Sequence, residues 1–394
     1  MLKAIVFIMF FTLISPPFAI GGEINVHEHW LRPANTGSSR PVEDLYPERC
    51  AKCHQGQYED WRGALHSKSV GPGLLTQLHP KADPQTAVSC YYCHAPLALQ
   101  NEVIVDESGS GEKTYLSNSS YDEKLKLSGV SCAACHVREG NVFGPLSPNH
   151  GDFKTGVKAD HASVQKEFFE KAEFCAACHQ LDEGYDLNGK LIVNTYMEWK
   201  ESEYGKNRIA CQSCHMPGRR HLFRGIHDPD MVKSGVTFDV ESNAAADRVS
   251  AKLRITNSGV GHYFPTYVTP VVVIKGFLTD AKGKILKDTL KEAVVGRKVT
   301  LDLSKELFDT RIPPFKSYEF NYAIKRAVKA ERLVFEVRVF PDEFYNRFFE
   351  NAVKRRDPSM KKAELKEALK NTAGSSYLLL KKEIPLKELL AKVH

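Results

Sequence analysis

The chain has 394 residues, of which 42% are hydrophobic and 26% are charged, so its composition excludes a disordered or low-complexity protein. Its length allows about two or three domains of about 100–200 residues each. The formal net charge of +6 does not indicate binding to nucleic acid, because no basic stripe with interleaved aromatic residues accompanies it.

Residues 1–21 have the pattern of a secretory signal peptide. A lysine precedes an apolar run over residues 4–14, and small residues near Gly21 offer a cleavage site. An uncleaved anchor is the alternative, but the run is shorter than the roughly 20 residues needed to span a bilayer. No later segment is long and apolar enough to span either. The sequence therefore predicts export to the periplasm or the cell exterior, and no membrane span after removal of the signal.

Five Cys-x-x-Cys-His motifs follow. Two thiols one helical turn apart can form thioethers to the two vinyl groups of a haem, and the next histidine can ligate its iron. Zinc ribbons, redox Cys-x-x-Cys centres and disulfides do not require a histidine immediately after the second cysteine. The motifs predict five covalently bound haem c groups and use all ten cysteines. Their residues are Cys50, Cys53 and His54; Cys90, Cys93 and His94; Cys132, Cys135 and His136; Cys175, Cys178 and His179; and Cys211, Cys214 and His215.

The motifs begin 36 to 43 residues apart, which leaves room for a helix or two and a loop per haem but not for separate apolar cores. We therefore predict a helical, loop-rich pentahaem domain over residues 22–232 that does not fold without its haems. Apolar spacing predicts helices over His161–Lys171 and Tyr196–Lys200, and residues 101–124 are typical of a short hairpin or surface loop.

Runs typical of β-strands recur after residue 232, separated by turn signals. They predict an immunoglobulin-like antiparallel β-sandwich of about seven strands over residues 233–345. A helical tail with a final strand is expected over residues 346–394, so the fold class is α+β multidomain. The clearest predicted strands cover residues 249–255, 271–274, 298–303, 318–322 and 333–339, and the predicted tail elements are helices over 344–354 and 361–370 and a strand over 377–381.

The second axial ligand of each iron decides between electron transfer and catalysis. Methionines are too few and too poorly placed to supply the second axial ligand of every haem iron, so histidine at both axial positions is expected. One of His221 and His227, just after the last motif, is expected to ligate. The candidates for the distal position are His66, His161, His227, His221, His262 and His150.

Several segments carry a resemblance to known proteins. They are residues 50–66, 129–131, 173–174, 194–199, 211–217 and 257–266. Together they resemble a family of exported bacterial multihaem cytochromes, which is related to the tetrahaem cytochrome c-554 of ammonia oxidisers and, more distantly, to the haem core of hydroxylamine oxidoreductase and pentahaem nitrite reductase. The resemblance implies closely stacked haems that pass electrons. The chain lacks the Cys-x-x-Cys-Lys motif of pentahaem nitrite reductase and has fewer motifs than hydroxylamine oxidoreductase.

We therefore expect a cytochrome that moves single electrons between redox partner proteins, either other cytochromes or membrane quinol-linked donors, in the bacterial envelope. The alternative is an oxidoreductase that acts on a small nitrogen or sulfur compound at one five-coordinate haem, with Arg219, Arg220 and Arg224 as candidate donors beside motif five. A structural subunit is the third possibility. No nucleic-acid partner is expected, and the oligomeric state is left open.

Overall fold

The computed structural model describes residues 34–37, 42–78, 83–106, 113–146, 161–182, 184–245, 247–356 and 361–390. The predicted signal peptide and His150 lie outside these ranges. Among the described residues, no helix has the length and apolar character needed to cross a membrane.

The haem-motif region is built from short helices joined by loops and 3₁₀ turns, as the motif spacing predicts. The 3₁₀ turns cover Val42–Leu45, Leu65–Lys68, Ala98–Gln100, Glu167–Glu170 and Pro217–Arg219. The helices are α1 (Pro47–Ala51), α2 (Gln55–Gly63), α3 (Pro72–Leu78), α4 (Pro84–His94), α5 (Glu123–Leu127), α6 (Cys132–His136), α7 (Ala172–His179), α8 (Thr195–Lys200), α9 (Glu203–Lys206), α10 (Cys211–His215) and α11 (Pro229–Gly235).

Small sheets connect these helices. The predicted hairpin is confirmed, because β1 and β2 pair antiparallel. The predicted helix over His161–Lys171 is wrong: β5 pairs in parallel with β4, and a 3₁₀ turn follows before α7 begins. The strands are β1 (Val103–Asp106), β2 (Thr114–Ser117), β3 (Val137–Arg138), β4 (Asn141–Gly144), β5 (Ser163–Gln165), β6 (Asp186–Leu187) and β7 (Lys190–Leu191).

Residues beyond 235 form two antiparallel sheets, so the α+β fold class is confirmed. One sheet has the strand order β12-β11-β10-β14-β15 and the other β13-β9-β8. The predicted strand over 298–303 is largely wrong, because the strand there ends at Val299. The strands are β8 (Val236–Ala244), β9 (Arg248–Asn257), β10 (Val271–Thr279), β11 (Lys291–Val299), β12 (Glu306–Asp309), β13 (Ser317–Lys325), β14 (Arg332–Phe340) and β15 (Tyr377–Pro385).

The inner faces of the two sheets form the largest apolar core among the described residues. Leu253 on β9 and Val337 on β14 are fully buried in it, and Phe335 packs edge to face against Phe320 and Tyr322. Alternate residues of each strand face this core, which is the arrangement that the period-two pattern predicts.

The tail returns to the sandwich. Helices α12 (Glu343–Arg355) and α13 (Lys362–Gly374) pack against each other, and strand β15 then pairs with β14 before α14 (Leu386–Leu390). The predicted helices and final strand of the tail are confirmed. The division into separate domains stays a prediction.

Candidate haem-binding core

A cavity of about 2980 Å³ runs through the helical region, and all five motif histidines line it. This volume is about three times the upper end of the range of ordinary ligand pockets, which is about 300–1,000 Å³. Each motif forms one helical turn, so that residues i, i+3 and i+4 lie on one face. Even motif one, which begins at the last turn of α1, keeps this turn through a bond from the His54 N–H to the Cys50 carbonyl of 2.9 Å.

Four of the motif histidines each face one of the spare histidines across this cavity. The ring centres are about 6 Å apart in all four cases. The pairs are His54 with His161 at 6.2 Å, His179 with His66 at 6.2 Å, His136 with His221 at 6.1 Å, and His215 with His262 at 6.2 Å.

This spacing fits an iron held between two imidazoles. A metal–nitrogen bond of about 2.0–2.1 Å, with about 1.1 Å from each nitrogen to its ring centre, separates the two ring centres by about 6.2–6.4 Å. Direct stacking of the two rings would bring them closer. The histidine pairs therefore fit haem iron at each of these positions.

His66 is positioned by a tight turn of the chain in front of motif three. The His66 carbonyl accepts a bond from the Val130 N–H at 3.0 Å. Gly129 has a φ of +61°, and a Cβ there would lie 2.6 Å from the same carbonyl oxygen. Only glycine fits this close approach without strain.

Burial favours the neutral form of five of the eight paired histidines, and the neutral form is the one that ligates a metal. Loss of solvation lowers the pKa of His66, His136 and His262 to about 4 and that of His179 to about 3. It also lowers the pKa of His221, against the raising effect of a bond to the Arg219 carbonyl.

Of the two remaining distal candidates, His227 is not brought opposite a motif histidine. The His227 Nε2 lies 3.0 Å from a carboxylate oxygen of Asp342, and no ring contact pairs it with a motif histidine of the described chain. Between His221 and His227, the geometry therefore favours His221. His150 lies outside the described residues.

Residues 49–137 match the family described as cytochrome c554 and c-prime. A pentahaem cytochrome c552 from Thermochromatium tepidum has the same fold, with a TM-score of 0.62 and 20% sequence identity over 88% of this chain and 100% of that one. A structural-genomics target solved by X-ray crystallography aligns with a TM-score of only 0.17 and 13% identity, over 39% of this chain and 85% of that one. No match was found among curated proteins.

Residues 49–137 thus match a family of c-type cytochromes, and the chain shares its fold with a pentahaem cytochrome, so the resemblance inferred from the motifs is confirmed. Covalently bound haem c is the cofactor of such proteins.

Hydrogen bonds at Nδ1 orient four of the five motif histidines, which line the cavity. Three motif histidines bond through Nδ1 to main-chain carbonyls, whereas the Nδ1 of His179 bonds to the hydroxyl of Tyr267. Such partners fix the ring orientation and increase the basicity of a metal ligand. The carbonyl bonds join His94 to Ser69 at 2.9 Å, His136 to Phe143 at 2.8 Å and His215 to Arg224 at 2.5 Å.

The second motif differs from the others, because no ring of the described residues faces His94. The cavity beside it is closed by α3 and by the tail helices. Tyr345 of α12 lies against Gly73, where a Cβ would meet its ring at 2.6 Å, and it hydrogen-bonds with Gln77. The described residues of this wall offer no imidazole to an iron held by His94.

The attachment sites are adjacent in a defined order. The thiols of Cys50 and Cys132 hydrogen-bond to each other, which lowers the pKa of Cys50 and raises that of Cys132. The thiols of Cys175 and Cys211 make the same contact. Helix α4 also contacts α7. Motifs one and three, four and five, and two and four are therefore neighbours.

Aromatic rings join the two thiol-linked pairs. Phe223 lies 4.4 Å from the ring of His66 and 5.8 Å from that of His221, edge to face in both cases. Phe169 stacks on His136 with ring centres 5.1 Å apart. Motifs three and four are thus connected through packed side chains.

Sequence reasoning missed Tyr267, which directly follows a segment that carries the family resemblance. It also missed the contact between the two resemblance segments that contain Glu198 and Thr266, whose side chains hydrogen-bond at 2.8 Å. No pattern in the sequence joins segments about 70 residues apart.

Proposed function

We propose that this cytochrome carries five haem c groups and passes single electrons between redox partner proteins in the bacterial envelope. The observation that carries the proposal is the set of four histidine pairs at the spacing of a doubly ligated iron. When bound, haem iron takes up and releases one electron. An iron with a histidine on each side has no position for a substrate, so electron exchange is what the site supports.

The ligand roles follow from the pairs. The five motif histidines are the proximal ligands, and His161, His221, His66 and His262 are the distal ligands opposite motifs one, three, four and five. Two histidine ligands favour lower potentials than a histidine and a methionine. The order of neighbouring motifs supports an electron path that runs from motif one through three to four, with motifs two and five as its two further ends.

Export supports the same function. Residues 1–21 have the pattern of a signal peptide, and the ten cysteines need a compartment in which haem c is attached. The proposed partners are other cytochromes or quinol-linked donors of the membrane. The proposed division is a haem domain over 22–232, a sandwich over 233–345 and a tail over 346–394.

The test is the haem content and spin state of the purified holo-protein. We expect a mass increase equal to five haems per chain. We also expect about four of five irons to be low-spin in the electron paramagnetic resonance spectrum of the oxidised protein at low temperature. Fewer than five haems, or a majority of high-spin iron, would contradict the proposal.

A second candidate function is favoured by the surroundings of His94. We propose that the haem of motif two binds a small nitrogen or sulfur compound at its distal side, where no described histidine stands. The arginines beside motif five do not support substrate binding beside that motif, because each forms an ion pair with a carboxylate. The pairs are Arg219 with Glu170 at 2.5 Å, Arg220 with Asp60 at 2.5 Å, and Arg224 with Asp228 at 3.7 Å.

Carbon monoxide tests this second function on the reduced holo-protein. We expect one molecule bound per chain, seen as a Soret shift of about one fifth of the total haem, because carbon monoxide binds only an iron with an open position. Nitrite, hydroxylamine and sulfite are then screened as ligands of that haem. Absence of carbon monoxide binding, with all five irons low-spin, would leave electron transfer as the function.

A further inference from the structure

A chain of buried polar side chains leads from His179 to a buried carboxylate. The Nδ1 of His179 bonds to the hydroxyl of Tyr267, and the Thr195 hydroxyl is the next hydrogen-bonding neighbour of that hydroxyl. The hydroxyls of Thr195 and Thr266 lie 2.9 Å apart. Thr266 then donates to Oε2 of Glu198 at 2.8 Å. Three hydroxyl groups thus connect a motif histidine to a carboxylate.

This arrangement differs from that of the three motif histidines that bond to main-chain carbonyls. A carbonyl oxygen only accepts hydrogen bonds, so its strength as an acceptor is set locally. A hydroxyl both accepts and donates, and its strength as an acceptor increases when its own proton is donated to an anion. The strength of the Tyr267 hydroxyl as an acceptor for His179 therefore depends on the group at the far end of this series of hydrogen bonds.

At the far end of the series, both carboxylate oxygens of Glu198 accept hydrogen bonds. Oε1 of Glu198 receives Arg311 Nη1 at 3.0 Å, and Oε2 receives the Tyr263 N–H at 3.0 Å in addition to Thr266. Both charged side chains of this pair are only 4% exposed. Asp309 also binds Arg311, so the three charges leave one net negative charge in the buried cluster.

The direction of every bond in the chain follows from its two ends. Ligation of iron through Nε2 leaves the proton of His179 on Nδ1, which must donate. The carboxylate of Glu198 accepts. Each of the three hydroxyls has one proton, so Tyr267 donates to Thr195, and Thr195 donates to Thr266. All four bonds are aligned toward the carboxylate, and aligned bonds polarise one another.

We propose that Tyr267, Thr195 and Thr266 are positioning residues through which Glu198 lowers the reduction potential of the haem held by His179. Polarised in this way, Tyr267 accepts the Nδ1 proton more strongly, and the imidazole becomes a more basic ligand that favours ferric over ferrous iron. The inference rests on the proposed function, in which His179 ligates iron. Tyr267 and Thr266 lie between β9 and β10, so the sandwich side of the molecule sets the potential of a haem attached to α7.

The test is a potentiometric titration of the holo-protein, followed by electron paramagnetic resonance so that each haem is resolved. In Tyr267→Phe we expect the midpoint potential of one haem to shift upward and the others to stay unchanged. Thr266→Val, which interrupts the chain further from His179, is expected to shift the same haem upward by less. Thr266→Ser keeps the hydroxyl and is expected to restore the original potential.

Tyr322→Phe is the matched control, because the Tyr322 hydroxyl also makes one buried hydrogen bond, to the Thr289 carbonyl at 2.8 Å, inside the sandwich core. It is expected to leave every potential unchanged.

The proposal is overturned if Tyr267→Phe shifts the midpoint potential of no haem or shifts one downward. It is also overturned if Thr266→Ser shifts the potential as much as Thr266→Val. Should Tyr267→Phe fail to fold, the valine and serine variants decide alone. Fewer than five haems in the unmodified protein would instead refute the underlying ligand assignment, so the two failures are distinguishable.

Discussion

His262 and His227 are both spare histidines near the junction of the two halves of the chain, and their bonds distinguish their roles. Nδ1 of His262 bonds to the Tyr263 carbonyl at 2.9 Å, which leaves Nε2 toward His215. In His227 it is Nε2 that is engaged, by Asp342. A free Nε2 in a buried ring is the property that suits His262 to ligate iron.

We therefore predict different outcomes for two substitutions of the same kind. His262→Ala should convert one low-spin haem to high-spin, because the iron held by His215 loses its second ligand. His227→Ala should leave the spin states unchanged, since it removes only a contact with Asp342. Low-temperature electron paramagnetic resonance of the two holo-proteins measures this. An unchanged spectrum for His262→Ala would show that His262 is not a ligand.

At the scale of elements, strand β11 is anchored to the haem region by one arginine. The side chain of Arg297 is fully buried and binds Glu306 of β12 at 2.8 Å. It also donates to the carbonyls of Leu187, Lys190 and Leu191 in the β6–β7 hairpin, at 2.6 to 2.9 Å. A flat guanidinium with five donors can satisfy all four acceptors at once, whereas lysine cannot.

Arg297→Met should therefore reduce the free energy of unfolding by about 3–5 kcal/mol, the usual cost of removing one partner of a buried ion pair. Lys275→Met is the control, because Lys275 of β10 and Glu292 of β11 form an exposed pair, with side chains 40% and 46% exposed. Its loss should cost no more than about 1 kcal/mol. Denaturant titration of the two holo-proteins measures the difference, and equal losses would show that the buried contacts of Arg297 contribute no more than a surface pair.

A periodic pattern predicts an element correctly where the burial of one face alone decides which residues are apolar. Strands β9, β13 and β14 alternate apolar and polar residues and lie where that pattern predicts them. The helical spacing over His161–Lys171 gives a wrong prediction. Phe169 is apolar because it stacks on the ring of His136, and residues 163–165 pair with β4. Strand β8 alternates as well, although it was not among the predicted strands.

The candidate site was predictable only in part. The motif residues are local in sequence, so their spacing is sufficient to name them. Partners such as His161 for His54, or Tyr267 for His179, come from separate segments that only the tertiary fold brings together. A single sequence cannot assign such pairs.

The whole molecule has two kinds of interior. The sandwich has a continuous core of buried aliphatic and aromatic side chains. The described part of the helical region has small, separate apolar clusters around a cavity of about 2980 Å³. If haem fills this cavity, as proposed, it supplies the van der Waals contacts of the lining, and the packing of the helical region then depends on it.

This contrast predicts how the chain behaves without haem. When residues 22–394 are produced in a compartment that cannot attach haem, limited proteolysis should digest the haem region and leave a resistant fragment that begins near Val236. Strand β15 pairs with β14, so that fragment should retain the end of the chain to about residue 390. The holo-protein under the same protease should resist cleavage in both regions, because the haems fill the cavity. If the haem region of the unloaded chain is as resistant as that of the holo-protein, its short helices hold together without haem, and the view that the porphyrins supply its core is wrong.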